Sequence, residues 1–203
     1  MGKVKVSSKA KKTPGGYVFT EKNPNWISEI SLKQITDSAF SRIILFFVFL
    51  SPCERLSAMS KTLEMYGWEN QWKKPVWLNR KLKNASTNPS LFFSASTLGD
   101  MKQSLEKANM LNNFSADVLE EKVCIYDNLG NQFMSLFCHL RNAFAHGRFK
   151  VEKENGNNIY IFEDVSVNAK LQEYKVSARM ILKEATLIKW IEIIEAGIQE
   201  ELS

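Results

Sequence analysis

The segment "LRNAFAHGRFKVEKENGNNIYIFEDV", residues 140–165, contains a change of periodicity that sets the predicted fold. Before Gly147 the apolar residues recur at helical spacing, and after it they alternate with polar ones. The alternating residues flank an Asn155-Gly156 pair: Phe149, Val151, Ile159 and Ile161. An Asn-Gly pair between β-prone runs is a strong hairpin signal. The sequence therefore predicts a helix that ends at Gly147 and a hairpin that follows it.

The chain upstream of this segment is dominated by helical patterns. A long helical stretch is expected from about Ser28 into the sixties, bent at Pro52, because proline removes a backbone hydrogen-bond donor. Further helices are expected over residues 97–111 and 115–146, the second with Gly130 as a weak point.

The C-terminal quarter continues with one more strand and a helix. Alternating apolar residues predict the third strand: Val176, Ala178, Met180 and Leu182. Apolar residues at helical spacing predict the last helix: Leu187, Ile191, Ile194 and Ile198. We therefore predict a mainly α protein with a basic, flexible tail over residues 1–25 and a single domain over residues 26–203. This domain is expected to be an antiparallel helical bundle (26–146), a small antiparallel β-hairpin or three-stranded sheet (147–182) and a last helix (183–200).

The net charge of +5 is concentrated at the N-terminus. Of the 27 Lys and Arg residues, five lie within residues 1–12, where there is no acidic residue, and the other 22 balance the 22 Asp and Glu residues. The excess charge thus belongs to the predicted tail and says little about the folded surface. Such a tail is either a disordered, solubilising terminus or a source of non-specific affinity for RNA or anionic lipid.

Cysteine usage and hydrophobicity favour a cytoplasmic protein. The three cysteines have no C-x-x-C spacing and no secretory signal precedes them, which predicts buried thiols in a reducing compartment. The apolar run at residues 39–50 contains Arg42 and is shorter than the roughly 20 residues of a membrane span. We interpret this run as the central buried helix of the bundle and expect no membrane association; a membrane-dipping segment is the alternative.

The helix that ends at Gly147 has two distinct faces. At about 100° per residue, an apolar stripe lies within about 40° of Phe133 and comprises Phe133, Phe137, Leu140 and Phe144. A polar stripe lies at roughly 180–240° and comprises Ser135, His139, Asn142 and His146. Arg141 lies between the two stripes, at about 80°. Because Asn142 and His146 are one turn apart, their side chains can touch.

Arg141 and His146 diverge by about 140° on a regular helix, so a joint role requires one of three arrangements. The helix frays at Gly147, the Arg141 side chain wraps around the helix, or two chains combine their sites in a dimer. The pair suits metal-independent RNA cleavage, because a histidine with a pKa of about 6.5 takes and returns a proton near neutral pH. An arginine stabilises charge on the phosphorane, and an adjacent amide orients the imidazole or the phosphate.

The segment "RNAFAH" resembles the signature of the HEPN superfamily (higher eukaryotes and prokaryotes nucleotide-binding), in which an arginine, a polar residue and a histidine lie near the end of a bundle helix. With the hairpin after it, "LRNAFAHGRF" is similar to a small family of bacterial, often plasmid- or defence-associated HEPN proteins. The resemblance implies a HEPN-like bundle and a metal-independent endoribonuclease, with Arg141 and His146 as catalytic residues and Asn142 as their polar partner. It also implies a homodimer whose sites face a shared groove, and a toxin or anti-phage defence effector with an antitoxin or defence complex as partner.

Three nearby side chains are predicted to contact RNA: Arg148, His139 and Lys150. Arg148 also departs from the family pattern, because HEPN toxins paired with nucleotidyltransferases often carry a tyrosine at this position. The resemblance therefore gives no support for a nucleotidyltransferase partner. No metal or cofactor is expected, since two turns of helix separate His139 from His146 by roughly 10 Å.

Alternative interpretations remain for the motif and for one basic segment. The alternative to an endoribonuclease is a non-catalytic HEPN module that binds RNA, nucleotide or a protein partner. A purely structural alternative makes His146 a helix C-terminal residue favoured by the helix dipole, with Gly147 as cap and Arg141 covering apolar surface. Residues 72–84 carry five basic residues and two tryptophans, which either stack on unpaired RNA bases or belong to an amphipathic surface helix.

Overall fold

The computed structural model describes residues 18–19, 38–53, 59, 61–68, 76–86, 92–97, 99–112, 114, 119–127, 129–168 and 173–198. Within these ranges the helices are α1 (Ser38–Ile44), α2 (Val76–Ala85), α3 (Met101–Lys107), α4 (Gln132–Ala145) and α5 (Glu184–Ala196). A π-helical segment, Leu45–Leu50, continues directly from α1, and a 3₁₀ turn covers Glu64–Tyr66.

A mixed β-sheet forms the centre of the molecule. Its strands are β1 (Val18–Phe19), β2 (Phe92–Ala95), β3 (Lys122–Tyr126), β4 (Phe149–Glu154), β5 (Asn157–Asn168) and β6 (Glu173–Lys183). The strand order is β2-β3-β6-β5-β4, with β2 parallel to β3 and the other neighbours antiparallel. The short β1 pairs antiparallel with one end of β6.

Both faces of the sheet are covered. In β5, Tyr160 and Phe162 point into a large core built with α1, α2, α4 and α5, whereas Ile159 and Ile161 point into a smaller core built with α3. Because successive residues of a strand point to opposite faces, the two cores lie on opposite sides of the sheet. The larger core is the one against which α4 packs.

The predicted helical bundle is wrong, because a sheet occupies the centre of the molecule. Strands β2 and β3 lie within residues 26–146, which the sequence analysis assigned to helices. Strand β3, "KVCIY", pairs with β2 on one side and β6 on the other, and its three central residues are buried. The periodicity of such a short apolar run does not distinguish a strand from a buried helix. Its β-branched and aromatic residues were the available signal for a strand.

The C-terminal predictions are confirmed in outline. Strands β4 and β5 form the expected hairpin, with positive φ at both loop residues, Asn155 (51°) and Gly156 (82°), as a type I′ turn requires. Strand β6 is the expected third strand and α5 is the expected last helix. The helices predicted over residues 97–111 and 115–146 are present only as the shorter α3 and α4.

A β-bulge interrupts the pairing of β5 with β6. Asp164 pairs with Ala178, but Val165 pairs with Val176, so Ser177 is an extra residue in β6. Ala178 packs in the larger core and Val176 in the smaller one. The predicted alternation placed these two residues on the same face of the strand, and the bulge moves Val176 to the opposite face.

The apolar run at residues 39–50 forms α1 and the π-helical segment, which pack against α4. Ile43, Phe46 and Phe47 are buried, and the ring of Phe47 lies 5.7 Å from that of Phe137 between centroids. The run is thus a buried helix, but in a sheet-centred fold. Within the described ranges, each helix is too short or too polar to cross a membrane.

Part of the predicted N-terminal tail belongs to the sheet. Val18 and Phe19 of β1 pair with Lys175 and Tyr174 of β6. The two residues lie within the segment 1–25 that the sequence analysis predicted to be flexible. The remainder of that segment lies outside the described residues.

A buried ion pair joins β5 and β6 on the α3 side of the sheet. The Glu163 carboxylate accepts hydrogen bonds from Nε (3.1 Å) and Nη2 (3.0 Å) of Arg179, and both side chains are almost completely buried. Arg179 Nη1 also donates to the carbonyl oxygens of Met110 (2.6 Å) and Leu111 (2.7 Å), which follow α3. The guanidinium therefore ties the end of α3 to the sheet while it neutralises Glu163.

Replacing Arg179 by methionine should lower the free energy of unfolding by about 3–5 kcal/mol, because the buried Glu163 carboxylate would lose its principal cation. Urea denaturation followed by far-UV circular dichroism measures this loss. Adding Glu163→Gln to the Arg179→Met variant should restore part of the stability.

Arg42→Met is the matched control, because Arg42 makes an exposed ion pair with Glu195 at 2.9 Å. Its effect should stay within about 1 kcal/mol. Equal losses for the two variants would contradict the role assigned to the buried pair.

Candidate active site

Helix α4 carries the predicted motif and is capped at both ends. Asn131 caps the N-terminus, because its Oδ1 accepts hydrogen bonds from main-chain N–H groups of the first turn. At the C-terminus, Gly147 has φ of 64° and its N–H donates to the carbonyl of Phe144 at 3.1 Å. The N–H of Arg148 donates to the carbonyl of Ala143 at 2.8 Å, which completes a Schellman motif.

The helix keeps its geometry up to the predicted histidine. His146 is the C-cap residue, and its N–H donates to the carbonyl of Asn142 at 2.9 Å. The predicted apolar stripe is buried: Phe133, Phe137, Leu140 and Phe144. Of the three arrangements considered for bringing Arg141 and His146 together, fraying of the helix is therefore not the one observed.

The polar stripe of α4 faces the sheet over most of its length. Ser135 and His139 are buried, Asn142 is half-buried, and His146 is exposed. Ser135 Oγ donates to Asp127 Oδ1 at 2.7 Å, directly after β3. Most of the stripe thus contacts polar groups of the sheet and of the residue after β3, a contact that the sequence analysis did not predict.

His139 is hydrogen-bonded through both ring nitrogens. Nδ1 lies 2.7 Å from Asp164 Oδ2, and Nε2 lies 2.8 Å from the carbonyl oxygen of Tyr126. The Tyr126 carbonyl only accepts, and an ionised Asp164 also only accepts, so beside an ionised Asp164 both ring nitrogens donate and the ring is an imidazolium. Burial alone lowers the pKa of His139, but the hydrogen bond to Asp164, its negative charge and the Tyr126 carbonyl outweigh burial and raise that pKa. His139 has no free ring nitrogen for the RNA contact predicted for it.

Asp164 connects His139 to the motif. Its Oδ2 also accepts from Asn142 Nδ2 at 3.4 Å, and Asn142 Oδ1 in turn accepts from Arg141 Nη1 at 3.2 Å. The guanidinium of Arg141 is therefore turned towards the polar stripe, as the wrapping arrangement requires. A continuous hydrogen-bonded chain runs from the Tyr126 carbonyl through His139, Asp164 and Asn142 to Arg141.

The other predicted residues differ in what surrounds them. His146 is exposed at the end of α4. Arg148 Nη1 donates to Glu163 Oε1 at 3.3 Å, and Lys150 forms an ion pair with Glu152. The side chains of both cations keep 21% of their surface exposed. Both lie on the α3 side of the sheet, because Arg148 binds Glu163 there and the strand residues that flank Lys150 pack in the larger core with α4.

Two buried thiols lie beside Arg141. Cys53, after the π-helical segment, shares a hydrogen bond with Cys138, which raises the pKa of Cys53 and lowers that of Cys138. Burial raises the pKa of Cys138, whereas the charges of His139 and Arg141 lower it further. As predicted, Cys53, Cys138 and Cys124 are all free, buried cysteines.

Across the described ranges, no three Cys, His, Asp or Glu side chains group closely enough to hold a metal ion.

The described part of the basic segment 72–84 belongs to α2. Trp77 packs against Trp68 with 5.5 Å between ring centroids, and Lys81 Nζ lies 3.9 Å from the centroid of the Trp77 ring. Trp77 therefore lies between the core and a lysine, as in the amphipathic-helix interpretation. Trp72 lies outside the described residues.

Asp164 is the residue of this site that the sequence reasoning missed. It lies 22 residues from Asn142, in a strand predicted only from its apolar alternation. A signal was present in "FEDV", residues 162–165, where two acidic residues interrupt an apolar strand. A carboxylate at a buried strand position needs a hydrogen-bonding or charged partner.

The raised pKa of His139 predicts that its contribution to stability falls as pH rises. Between the unfolded-state pKa of about 6.5 and the higher folded-state pKa, the native protein holds a proton that the unfolded chain has released. The free energy of unfolding should therefore fall by up to about 1.4 kcal/mol per pH unit from this group, and the contribution is complete only below pH 6.5 or so. Urea denaturation at a series of pH values measures the slope.

The two histidines provide a matched comparison. His139→Asn should flatten the slope above pH 6.5, whereas His146→Ala removes an exposed imidazole and keeps the His139–Asp164 pair, so the part of the slope that comes from His139 should remain. A slope that survives in His139→Asn would show that another group titrates.

In comparisons with known proteins, no family model, no curated protein and no solved structure matches the chain. The resemblance to the HEPN superfamily therefore rests on residues 140–149 alone.

Proposed function

We propose that the protein is a metal-independent endoribonuclease in which His146 transfers protons and Arg141 stabilises the reacting phosphate. The observation that carries the proposal is the hydrogen bond from Arg141 to Asn142. This bond turns the guanidinium towards the side of α4 on which His146 is exposed, one turn further along. A fixed cation and an accessible imidazole thus lie at the same end of the same helix.

The proposed reaction needs only these two kinds of group. His146 takes the proton of a ribose 2′-hydroxyl as the 2′-oxygen attacks the adjacent phosphorus, and a protonated imidazole supplies a proton to the departing 5′-oxygen. Arg141 donates hydrogen bonds to the phosphate oxygens, whose negative charge increases in the phosphorane. The bond to the 5′-oxygen breaks, and the products are a 2′,3′-cyclic phosphate and a 5′-hydroxyl.

The wider setting belongs to the same proposal and comes from the motif resemblance. It comprises a homodimer with two sites facing one groove, a cytoplasmic location, and action as a toxin or anti-phage effector restrained by an antitoxin or defence complex. The observed sheet-centred fold differs from the bundle that this resemblance implies. The support is therefore the motif itself and the geometry at the end of α4.

Cleavage of end-labelled RNA by the purified protein in EDTA tests the proposal. We expect products with 2′,3′-cyclic phosphate ends, and a loss of rate of at least about 100-fold in His146→Ala, since general acid–base catalysis contributes roughly 10²–10⁴-fold. Analysis of the product ends separates this mechanism from hydrolysis that leaves 3′-hydroxyl ends.

Lys102→Ala is the control variant, because Lys102 is exposed on α3, on the opposite side of the sheet from α4. It should cleave like the wild-type protein. Binding of RNA without cleavage would overturn the catalytic proposal in favour of a non-catalytic RNA-binding module. A protein that neither binds nor cleaves RNA would instead favour a purely structural role for the helix end.

A further inference from the structure

We propose that Asp164 and His139 are positioning residues that set the orientation of Asn142 and, through it, of Arg141. This inference rests on the proposed function for its catalytic consequence, but its structural claim can be tested without any catalysis. The carrying observation is that three charged groups and one amide form a single hydrogen-bonded chain inside the protein.

The polarity of the Asn142 amide is the centre of the argument. An amide side chain has a donor end and an acceptor end of almost the same shape, so its environment decides which way it points. An ionised Asp164 only accepts hydrogen bonds, and it therefore faces Nδ2 of Asn142. Oδ1 is then left to face Arg141, whose guanidinium only donates. A reversed amide would place oxygen against the carboxylate and NH₂ against the guanidinium.

Asp164 can enforce this polarity only while it is charged and fixed. Its side chain is 7% exposed, and His139 Nδ1 lies 2.7 Å from its Oδ2. The imidazolium supplies the opposite charge that a buried carboxylate requires. His139 is held in turn by the carbonyl oxygen of Tyr126 at the end of β3. The orientation of Asn142 is thus fixed by two strands of the sheet as well as by its own helix.

The consequence for Arg141 follows from its half-buried position on the flank of α4, where its Nε is buried and has no hydrogen-bond partner among the described residues. A long arginine side chain samples many rotamers unless hydrogen bonds hold it, and a catalytic cation must be in place before the reaction. Asn142 Oδ1 is the hydrogen-bond acceptor that the structure gives to the Arg141 guanidinium. Losing the correct amide orientation should therefore release Arg141 without removing its charge.

Nuclear magnetic resonance of ¹⁵N-labelled protein tests the positioning directly. The Arg141 Nε–H signal is identified by its absence in Arg141→Lys, and its heteronuclear NOE reports how ordered the side chain is on the fast timescale. We expect an ordered signal in the wild-type protein. In Asp164→Asn the charge that selects the amide orientation is gone, and the signal should become mobile.

Activity supplies the second readout. Asp164→Asn should lower kcat roughly 10–100-fold with little change in KM, as expected when a catalytic group is displaced by a small distance. In an Arg141→Ala background, the same substitution should cause no further loss. A residue that merely stabilises the fold would reduce both backgrounds equally.

Asp127→Asn is the matched control. Asp127 accepts a hydrogen bond from Ser135 on the same face of α4, and among the described residues it has no contact with Asn142. It should leave both the Arg141 signal and kcat unchanged. If Asp164→Asn fails to fold, Asn142→Ala removes the intermediary and leaves the His139–Asp164 pair intact. It too should release Arg141.

Two results would overturn the inference: an ordered Arg141 signal in Asp164→Asn or Asn142→Ala, or an equal loss of order in Asp127→Asn. A protein that never cleaves RNA, yet releases Arg141 in Asp164→Asn, would refute the proposed function and keep the positioning role. Cleavage with an unaffected Arg141 signal would refute the positioning role and keep the function.

Discussion

Burying two neighbouring carboxylates in β5 imposes the constraint around which the rest of the molecule is organised. Glu163 and Asp164 are both almost inaccessible, and because they are consecutive in a strand they point to opposite faces of the sheet. A buried charge is tolerated only with an opposite charge and hydrogen bonds around it. Arg179 meets this need on the α3 side, and His139 meets it on the α4 side. Each face of the sheet thus depends on a cation supplied by another element.

This arrangement links the architecture to the motif at the end of α4. In a helical bundle, the polar stripe of α4 would need water or another helix for its hydrogen bonds. Here β3 and β5 supply the partners: a carbonyl oxygen from Tyr126 and a carboxylate from Asp164. The positions of the motif side chains therefore depend on the sheet as much as on the helix. Arg141 is the last member of this network, and His146 lies beyond it in solvent.

Local signals in the sequence were sufficient for some elements and insufficient for others. The Asn155-Gly156 turn and the apolar stripe of α4 were predicted correctly because each depends on residues close together in the chain. Strand β3 was missed because a short apolar run fits a helix or a strand equally well. The helical wheel correctly grouped Ser135, His139 and Asn142, but it shows only which residues share a face, not what that face contacts. Asp164 could not be assigned to His139 before the sheet had brought them together.

The bulge at Ser177 shifts the alternation of core-facing residues along β6 by one position. On either side of it the strand alternates regularly, but the two halves are out of phase, so that even-numbered residues serve one core before the bulge and the other core after it. A relative that lacked this one residue would keep the strand and lose the phase change. Its residues N-terminal to the deletion would then have to exchange hydrophobic and polar positions. An alignment of β6 with the strand of such a relative would therefore require a single-residue gap at this point, and a gap-free alignment would pair residues from opposite sides of the sheet.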